Sequence, residues 1–493
     1  MGLMVIFMVV AIASAFWLWW QRRAATGMMA LPPGPSGFPM FGYLPLLDAK
    51  APHRTLAKLC VKYGKVFGLH LGNVYTVVLS DARQIRKVLA MDAASGRAPL
   101  YLTHGIMKGY GLICAEGALW KDQRRFVHSA LKKFGMHKYS EKRKEIEALI
   151  RTEIDDCLKF IESDPLVSPE DVLRHNIGNV INSLVFGVRY ERDDPIWLWL
   201  QSLQEEGVKH IGVGGVLNFV PSFRFIPKFR KIFNYLLEGK HKTHQVYREI
   251  IEKRKKSSKK LDGSNILEAF LLERSSTVGG KNEAFYTNQQ FYHLLADVFG
   301  AGLDTTLVTI SWFFMFMAAN PEEQAKVHKE IVEFAEAYQH PIDLNDLPYL
   351  PLLEAALSET QRIRSVVPLG LPHGALRDIQ LDDFIIPKGS MIVPFQWAIH
   401  MDPETYPDPE TFRPDRFIDE QGKFFKGEAF IPFQTGNRMC IGEDLAKMLM
   451  LLFSVEILRR FEIIAQGSLD LEGVTGITLA PKRQLLLFKK RLE

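Results

Sequence analysis

A long apolar run opens the chain. From Leu3 to Trp20 only Ser14 is strongly polar, and about 18 apolar residues in a helix cross most of a hydrocarbon layer roughly 30 Å thick. An aromatic belt and two cations close the run, as is typical of a membrane interface: Trp17, Trp19, Trp20, Arg22 and Arg23. The pattern predicts a transmembrane anchor over residues 1–22, with the remainder of the chain in the cytosol.

The competing interpretation of this run is a cleaved secretory signal, because Ala13-Ser14-Ala15 is similar to a small-residue cleavage site. Two features speak against it. No basic residue precedes the run, and the apolar stretch continues beyond the cleavage site into a further five apolar residues, FWLWW. We therefore favour the anchor.

Prolines mark the segment that follows. Residues 31–39 read LPPGPSGFP, and the fixed angle and missing amide donor of each proline exclude a helix and favour a stiff, extended connector. We assign residues 23–42 to a proline-rich hinge and residues 43–493 to one folded body.

Two periodicities alternate along this body. Residues 66–79 are predicted to form two strands joined by a Gly-Asn turn, and much of residues 120–365 is predicted to be amphipathic helix. Short strands return at Phe384–Ile386 and Met391–Val393, on either side of a Pro-Lys-Gly turn, and an apolar helix is predicted over Leu445–Leu458. The fold class is therefore mainly α with small β-sheets.

Composition and charge narrow the class of protein. The chain has 493 residues, 47% of them hydrophobic and 24% charged, which suffices for one large core or for two or three smaller ones. The net charge of +5 is small, and the basic residues are scattered, so a nucleic-acid partner is disfavoured. The basic run at 253–260, KRKKSSKK, lacks an apolar period and is predicted to be a solvated loop.

Cysteine usage limits the chemistry that thiols can perform. The chain has four cysteines without paired or metal-finger spacing: Cys60, Cys114, Cys157 and Cys440. This argues against a disulfide framework and for a reducing compartment. Any cysteine chemistry is expected to use a single thiol.

The strongest chemical signal is the segment Phe433–Glu443, FQTGNRMCIGE, which leads through Cys440 into an apolar helix. A cysteine just before a helix feels the positive end of the helix dipole and the nearby Arg438, and both favour the thiolate. Gly436 and Gly442 allow the backbone to pass close to a flat cofactor and to point amides at the sulfur. A lone cysteine near a helix start is usually structural, so the spacing of the whole segment decides its meaning.

That spacing resembles the signature loop of the cytochrome P450 family. The matching positions are Phe433, Gly436, Arg438, Cys440 and Gly442. The resemblance covers residues 31–493 and implies that Cys440 ligates the iron of haem b. One departure is Asn437, where many family members carry a basic residue; it removes one cation from the face expected to meet the electron donor.

A second segment, FGAGLDTT at residues 299–306, is similar to the oxygen-activation motif on the long central helix of this family. A hydroxyl there can bond back to a carbonyl one turn earlier and open the helix beside the iron. The resemblance implies that Asp304 and Thr305 deliver protons during oxygen activation and that Ala301 contacts the haem.

Further matches concern structural support and haem binding. Glu359 and Arg362 match the Glu-x-x-Arg motif, and Arg416 in FRPDRF completes a triad that we assign to fold and loop support rather than to catalysis. An isolated pair of this kind is usually a surface salt bridge of little value. Four residues are candidate donors to the buried haem propionates: Trp120, Arg124, His373 and Arg438.

The resemblance also implies partners and a location. Electrons are expected from NADPH through a flavoprotein reductase, with cytochrome b5 as a second candidate donor. A basic face could receive the reductase, although its members could equally be solvated charges: Lys121, Arg125, Lys132 and Lys133. The expected location is the endoplasmic reticulum membrane, with the catalytic domain in the cytosol.

The substrate is predicted from the apolar character of the expected pocket. Its candidate residues are Leu102, Met107, Phe299, Val366, Val367, Leu369 and Val474, which suit a lipophilic small molecule. The segments 394–402 and 433–443 are most similar to insect microsomal members that hydroxylate steroids of the ecdysteroid pathway. Fatty acids, terpenoids and xenobiotics stay open as substrates, and a haem-thiolate isomerase or dehydratase and a non-enzymatic haem carrier stay open as functions.

Overall fold

The structure of the protein is a computed structural model that describes residues 17, 30–136, 140–211, 215–257 and 260–492. The predicted anchor over residues 1–22 lies outside this part of the chain, apart from Trp17. Within the described residues, Asn288–Ala319 is the one helix long and apolar enough to cross a membrane, and 67% of its most apolar stretch is buried in the protein. Burial to that extent is typical of a core helix.

Helices form about half of the described chain, and many of them lie within residues 120–365, as the sequence predicts. In chain order they are α1 (Pro52–Tyr63), α2 (Ala82–Leu89), α3 (Gly117–Lys133), α4 (Arg143–Ser163), α5 (Pro169–Phe186), α6 (Pro195–Ile211), α7 (Val216–Phe219), α8 (Pro227–Lys256), α9 (Ile266–Ser276), α10 (Asn288–Ala319), α11 (Pro321–Tyr338), α12 (Pro351–Ile363), α13 (Gln396–His400) and α14 (Glu443–Arg460). A π-helical segment, Tyr101–Ile106, precedes α3.

The strands are short and form small sheets. They are β1 (Val66–Leu71), β2 (Val74–Leu79), β3 (Gly96–Arg97), β4 (Leu166–Val167), β5 (His373–Gly374), β6 (Ile379–Leu381), β7 (Phe384–Ile386), β8 (Met391–Pro394), β9 (Phe461–Ala465), β10 (Val474–Thr475), β11 (Leu479–Ala480) and β12 (Leu486–Lys490). The largest sheet of the described residues has the order β1-β2-β8-β5-β3, and the others are β4-β12-β9, β6-β7 and β10-β11.

The predicted hairpin at residues 66–79 is present. β1 and β2 are antiparallel from the pair Val66–Leu79 to the pair Leu71–Val74, and Gly72 between them has a φ of 56°, which favours glycine. The strands predicted on either side of the Pro-Lys-Gly turn also form, but they do not pair with each other. β7 pairs with β6, whereas the fully buried β8 joins the large sheet next to β2 and β5.

The long helix α10 organises the core. It is apolar nearly all round, and its Trp312 is fully buried. It packs along α5, where the Phe186 and Phe299 ring centroids lie 6.0 Å apart. A Cβ on Gly302 would lie 3.1 Å from Ile181 Cδ1, so the small residue permits the close approach of the two helices.

The proline-rich segment packs against the body. The Gly68 amide donates to the Pro33 carbonyl at 2.8 Å, and the Ile385 amide donates to the Ala30 carbonyl at 3.1 Å. Any Cβ at Gly34 would overlap the Gly68 carbonyl. Residues 31–37 form no helix, as predicted, whereas Phe38 and Gly42 close a turn through two backbone hydrogen bonds of 2.8 Å.

The prediction of a loop at residues 253–260 is wrong for its first half. Residues 253–256 form the last turn of α8, and Ser257 follows the helix. Four cations in this turn are favourable because they lie at the negative end of the helix dipole. Residues 258 and 259 lie outside the described part of the chain.

Candidate functional site

The cysteine loop closes on itself just before α14. The Cys440 amide donates to the Phe433 carbonyl at 3.0 Å, and Phe433 packs against the main core. Gly436 has a φ of 76°, and a Cβ there would lie 2.2 Å from the Leu89 carbonyl oxygen. Glycine at this position therefore lets the loop pass close to the end of α2 while the Cys440 thiol stays accessible.

The protonation of the Cys440 thiol differs from the sequence prediction. Cys440 keeps exposed surface, but the protein packed around the sulfur desolvates the thiolate and so raises the pKa of the thiol above its ordinary value. A hydrogen bond from the Gly442 amide and the nearby Arg124 cation lower this pKa. Arg438, expected to favour the thiolate, instead directs its guanidinium to the Ser95 and Ala115 carbonyls. A metal ion that binds the sulfur would deprotonate the thiol.

Three arginines gather beside this loop. Arg438 lies over the Trp120 ring, 4.3 Å from its centroid, and Arg124 lies 6.0 Å from the same centroid. The Arg124 guanidinium donates to the Met439 carbonyl at 2.8 Å. Burial and then the neighbouring Arg97 lower the pKa of Arg438 to about 8. The three cations thus share one partly desolvated region.

Arg97 belongs to this cluster although the sequence analysis did not select it. Pairing of β3 with β5 places Arg97 opposite His373, and the Arg97 Nε donates to the Ile113 carbonyl at 2.7 Å. Among the described residues, no carboxylate forms an ion pair with any of these three arginines. The only local signal for Arg97 is a charged residue within the otherwise small and apolar segment AASGRAPL.

His373 has one ring nitrogen that can bind a ligand at this site. Its Nδ1 lies 2.8 Å from the Ala94 carbonyl oxygen, so Nδ1 carries the proton and Nε2 is left for another partner. Burial, followed by Arg97, lowers the pKa of His373 to about 3. An anionic group at Nε2 would favour the doubly protonated ring, which then donates to it.

The donor set fits haem. One accessible thiol can supply the axial ligand, and a Trp-Arg-Arg-His-Arg cluster without ion-paired carboxylates can bind two propionates. The residues that would hold the group are Cys440, Trp120, Arg124, Arg97, His373 and Arg438.

Helix α10 presents Ala301 and Thr305 on its accessible side. The Thr305 hydroxyl donates to the Ala301 carbonyl, one turn earlier, at 2.9 Å, and the Thr309 hydroxyl repeats this bond to the Thr305 carbonyl at 2.7 Å. The back-bond anticipated from the motif is therefore present. The Ala301 carbonyl thus accepts the Thr305 hydroxyl, whereas a helix carbonyl ordinarily accepts only from a backbone amide.

Asp304 points elsewhere. Its carboxylate accepts from the Thr478 hydroxyl at 2.9 Å, and burial raises its pKa, against Thr478 and Arg174, which both lower it. Successive residues on a helix differ in direction by about 100°, so Asp304 and Thr305 face different neighbours although they are adjacent in sequence. The motif located the two residues but not their separate directions.

The Glu359–Arg362–Arg416 triad is assembled and buried. Arg362 donates to both carboxylate oxygens of Glu359, from Nε at 2.7 Å and from Nη2 at 2.8 Å. The Arg416 Nε adds a third contact to Glu359 at 3.3 Å. Arg362 also donates to the His400 carbonyl at 2.8 Å. These contacts tie α12 to α13 and to the segment before the cysteine loop.

A cavity of about 160 Å³ lies between the π-helical segment, α7, α8 and the β10–β11 turn. Most of its lining side chains are apolar, but polar and apolar atoms share its surface about equally; the polar side chains are Tyr101, Asn218 and Thr475. The lining residues are Ala49, Pro52, Tyr101, Leu102, Ile106, Gly215, Val216, Leu217, Asn218, Phe229, Ile232, Leu236, Thr475 and Gly476. This lining suits the apolar part of a ligand, but the volume is below the roughly 300–1,000 Å³ of pockets that enclose a drug-sized molecule, so a steroid would need the cavity to widen.

The predicted pocket residues agree with this cavity only in part. Leu102 lines it, whereas Phe299 is packed in the main core and Leu369 in a second core cluster. Val474 is 51% exposed, and its neighbours Thr475 and Gly476 contribute to the lining. The partly buried side chains of Met107, Val366 and Val367 also lie outside the lining of this cavity.

A mainly helical body with an accessible cysteine beside an arginine cluster is the arrangement expected of a protein that binds haem through a thiolate. The family model that matches the chain is Cytochrome P450, over residues 32–488. Cytochrome P450 306a1 of Drosophila melanogaster is 41% identical over 95% of this chain and 91% of its own length. Cytochrome P450 18a1 of Drosophila melanogaster is 32% identical over 96% and 89%, and Cytochrome P450 2U1 of Homo sapiens is 31% identical over 94% and 90%.

The chain therefore belongs to the cytochrome P450 family, as its cysteine loop indicates, and is a P450 monooxygenase that binds haem iron. The mainly helical fold with small sheets agrees with this family. The resemblance to insect members is supported by the two Drosophila relatives.

Proposed function

We propose that the protein hydroxylates a lipophilic small molecule and that this molecule is a steroid of the ecdysteroid pathway. The observation that carries the proposal is the apolar cavity beside α8, whose few polar side chains could orient a hydroxyl or a carbonyl group. The insect relative at 41% identity supports an insect substrate. The similarity of segments 394–402 and 433–443 to steroid hydroxylases is the reason for proposing a steroid.

Haem, when bound, supplies the oxygen chemistry. In our proposal Cys440 gives it the thiolate ligand, and the arginine cluster with His373 and Trp120 neutralises its propionates. Burial of these cations without ion-paired carboxylates supports this role, because a desolvated cation needs an anion nearby.

We assign proton handling to Asp304 and Thr305. The Thr305 hydroxyl, bonded to the Ala301 carbonyl, can switch its donor to a substrate-side group and accept a proton in return. Burial raises the pKa of Asp304 above its ordinary value, against Thr478 and Arg174, and a carboxyl whose pKa is shifted by desolvation is a candidate for proton transfer.

We further propose that a flavoprotein reductase carrying electrons from NADPH docks over α3, with cytochrome b5 as an alternative donor. An open concavity there is lined by basic residues together with Asp92, Trp120 and Asn437: Lys121, Arg124, Arg125 and His128. Two of the predicted docking residues are partly neutralised, since Lys121 pairs with Asp92 and Arg125 with Asp122. Lys132 and Lys133 are exposed at the end of the same helix.

The anchor and the endoplasmic reticulum location are also proposals, motivated by the apolar run at residues 3–20 and the cations that follow. Removal of residues 1–22 should release the protein from salt-washed membranes, at least in part, with haem retained. A full-length protein that is glycosylated and lumenal would reject the cytosolic orientation.

The test of the function is turnover of a panel of lipophilic compounds with NADPH, oxygen and a reductase. The panel contains ecdysteroid precursors, fatty acids, terpenoids and xenobiotics. We expect one oxygen atom to enter a steroid and to depend on NADPH and oxygen together. Selective hydroxylation of another class would refute the steroid assignment, and turnover without oxygen or an electron donor would replace hydroxylation by isomerisation.

A further inference from the structure

A hairpin near the C-terminus joins the cavity to helix α10. β10 and β11 pair Val474 with Ala480 and Thr475 with Leu479, which leaves a three-residue turn ending at Thr478. The Gly476 amide donates to the Thr478 carbonyl at 2.8 Å. The turn is therefore closed by its own backbone, and the direction of the Thr478 side chain is set by the hairpin.

The strand after the turn is fixed on both sides. The Leu479 amide donates to the Val366 carbonyl at 2.8 Å, and the Trp312 indole of α10 donates to the Leu479 carbonyl at 2.8 Å. A Cβ on Gly473, at the other end of the hairpin, would lie 2.7 Å from the Trp312 ring. The hairpin thus rests directly on α10, one residue away from Thr478.

Thr478 itself is buried, with 2% of its surface exposed. Its hydroxyl donates to Asp304 Oδ2 at 2.9 Å, and this is the hydrogen bond that the structure gives the Asp304 side chain within the described residues. A hydroxyl that donates to a carboxylate stabilises the charged form and fixes its orientation. Thr475 and Gly476, which precede Thr478 in the same turn, line the cavity.

We propose that Thr478 is a positioning residue that orients the Asp304 carboxyl and transmits occupation of the apolar cavity to it. The proposal rests on the proton-handling role proposed above for Asp304. A ligand that presses on Thr475 or Gly476 would shift the turn, and the shift would reach Asp304 through the Thr478 hydroxyl.

The charged surroundings of Asp304 identify which other groups affect its titration. Arg174 of α5 is the nearby cation; it pairs with Glu170 and also lies near Glu205 of α6. On the far side of the hairpin, Arg483 pairs with Asp171 at 2.7 Å. Arg174 and Thr478 both favour the ionised carboxyl, whereas burial favours the neutral one, so loss of Thr478 alone should leave Arg174 as the one compensating group.

The test compares Thr478→Val, which keeps the shape but removes the donor, with Thr478→Ser, which keeps the donor. Thr243→Val is the matched control, because Thr243 is also buried but its hydroxyl bonds to Gly239 within α8. The infrared carbonyl band of protonated Asp304, assigned by its loss in Asp304→Asn, reports the titration without any turnover. We expect its midpoint to rise by about one pH unit in Thr478→Val and to stay at the wild-type value in Thr478→Ser and Thr243→Val.

The same shift should appear in the pH profile of kcat, at the midpoint that Asp304→Asn abolishes. Adding an ecdysteroid precursor that binds at the cavity should move the infrared band in the wild type but not in Thr478→Val. An unchanged midpoint in Thr478→Val overturns the proposal, and a ligand-induced movement that persists in this variant overturns the link to the cavity. Turnover of Asp304→Asn with the wild-type rate and coupling would refute the proton-handling role of Asp304. Slow turnover of Asp304→Asn together with wild-type behaviour of Thr478→Val would refute only the role of Thr478.

Discussion

Replacing Glu359 by glutamine removes one negative charge from a fully buried ion pair while keeping the shape of the side chain. The carboxylate of Glu359 accepts from Arg362 Nε at 2.7 Å and Nη2 at 2.8 Å, from the Arg413 amide at 2.9 Å and from Arg416 Nε at 3.3 Å. Neither Glu359 nor Arg362 has any exposed surface. The substitution therefore leaves two buried guanidinium groups without their shared anion.

Loss of one partner of a buried ion pair costs about 3–5 kcal/mol. Glutamine retains one oxygen acceptor, so we expect the lower end, about 3 kcal/mol of unfolding free energy, measured by urea denaturation followed by circular dichroism. The matched control is Glu333→Gln, which breaks an exposed pair of Glu333 with Lys329 at 3.7 Å and should cost less than about 0.5 kcal/mol. Equal losses in the two variants would refute the reasoning that burial makes this triad essential.

Three further predictions concern haem binding, coupling and pH. Arg97→Leu should weaken haem retention about tenfold or more, because it removes a charge-assisted donor; transfer of haem to an acceptor protein measures this, and wild-type retention would exclude Arg97 from the site. Thr305→Ala should keep folding and haem content but release more hydrogen peroxide per NADPH consumed, and tightly coupled turnover would contradict its role. Stability should fall as pH decreases from about 6.5 towards 3. Burial lowers the pKa of His400 from 6.5 to about 3, so in this range only the unfolded chain takes up the proton. Each pH unit then costs about 1.4 kcal/mol of unfolding free energy. Urea titrations at pH 7 and 5 should therefore differ more for the wild type than for His400→Gln, and equal differences would refute this origin.

The residues that sequence reasoning located are those whose function depends on local spacing. Cys440, Trp120 and Arg124 could be found because the family motifs that contain them are short local patterns, although the partners of Trp120 and Arg124, which are Arg438 and Met439, lie far along the chain. The mainly helical fold and the β1–β2 hairpin were predictable for the same reason, since hydrophobic period and a glycine turn act over short distances.

What could not be predicted depends on contacts between distant segments. Arg97 reaches the site through the pairing of β3 with β5, far along the chain, and Thr478 reaches Asp304 because a C-terminal hairpin rests on α10. The direction of the pKa shift of Cys440 was expected to be downward from the helix dipole and Arg438. It is upward because desolvation by the surrounding protein, which the sequence does not reveal, outweighs the Gly442 hydrogen bond and the Arg124 cation that lower the pKa.

The central claim is that Cys440 is the axial ligand of haem iron. Its most direct test is the absorption spectrum of the reduced protein with carbon monoxide, recorded for the wild type, for Cys440→Ala and for Cys157→Ala, which removes a fully buried thiol in the core. We expect the long-wavelength band diagnostic of thiolate ligation in the wild type and in Cys157→Ala, and its loss in Cys440→Ala. Retention of that band in Cys440→Ala would contradict the assignment.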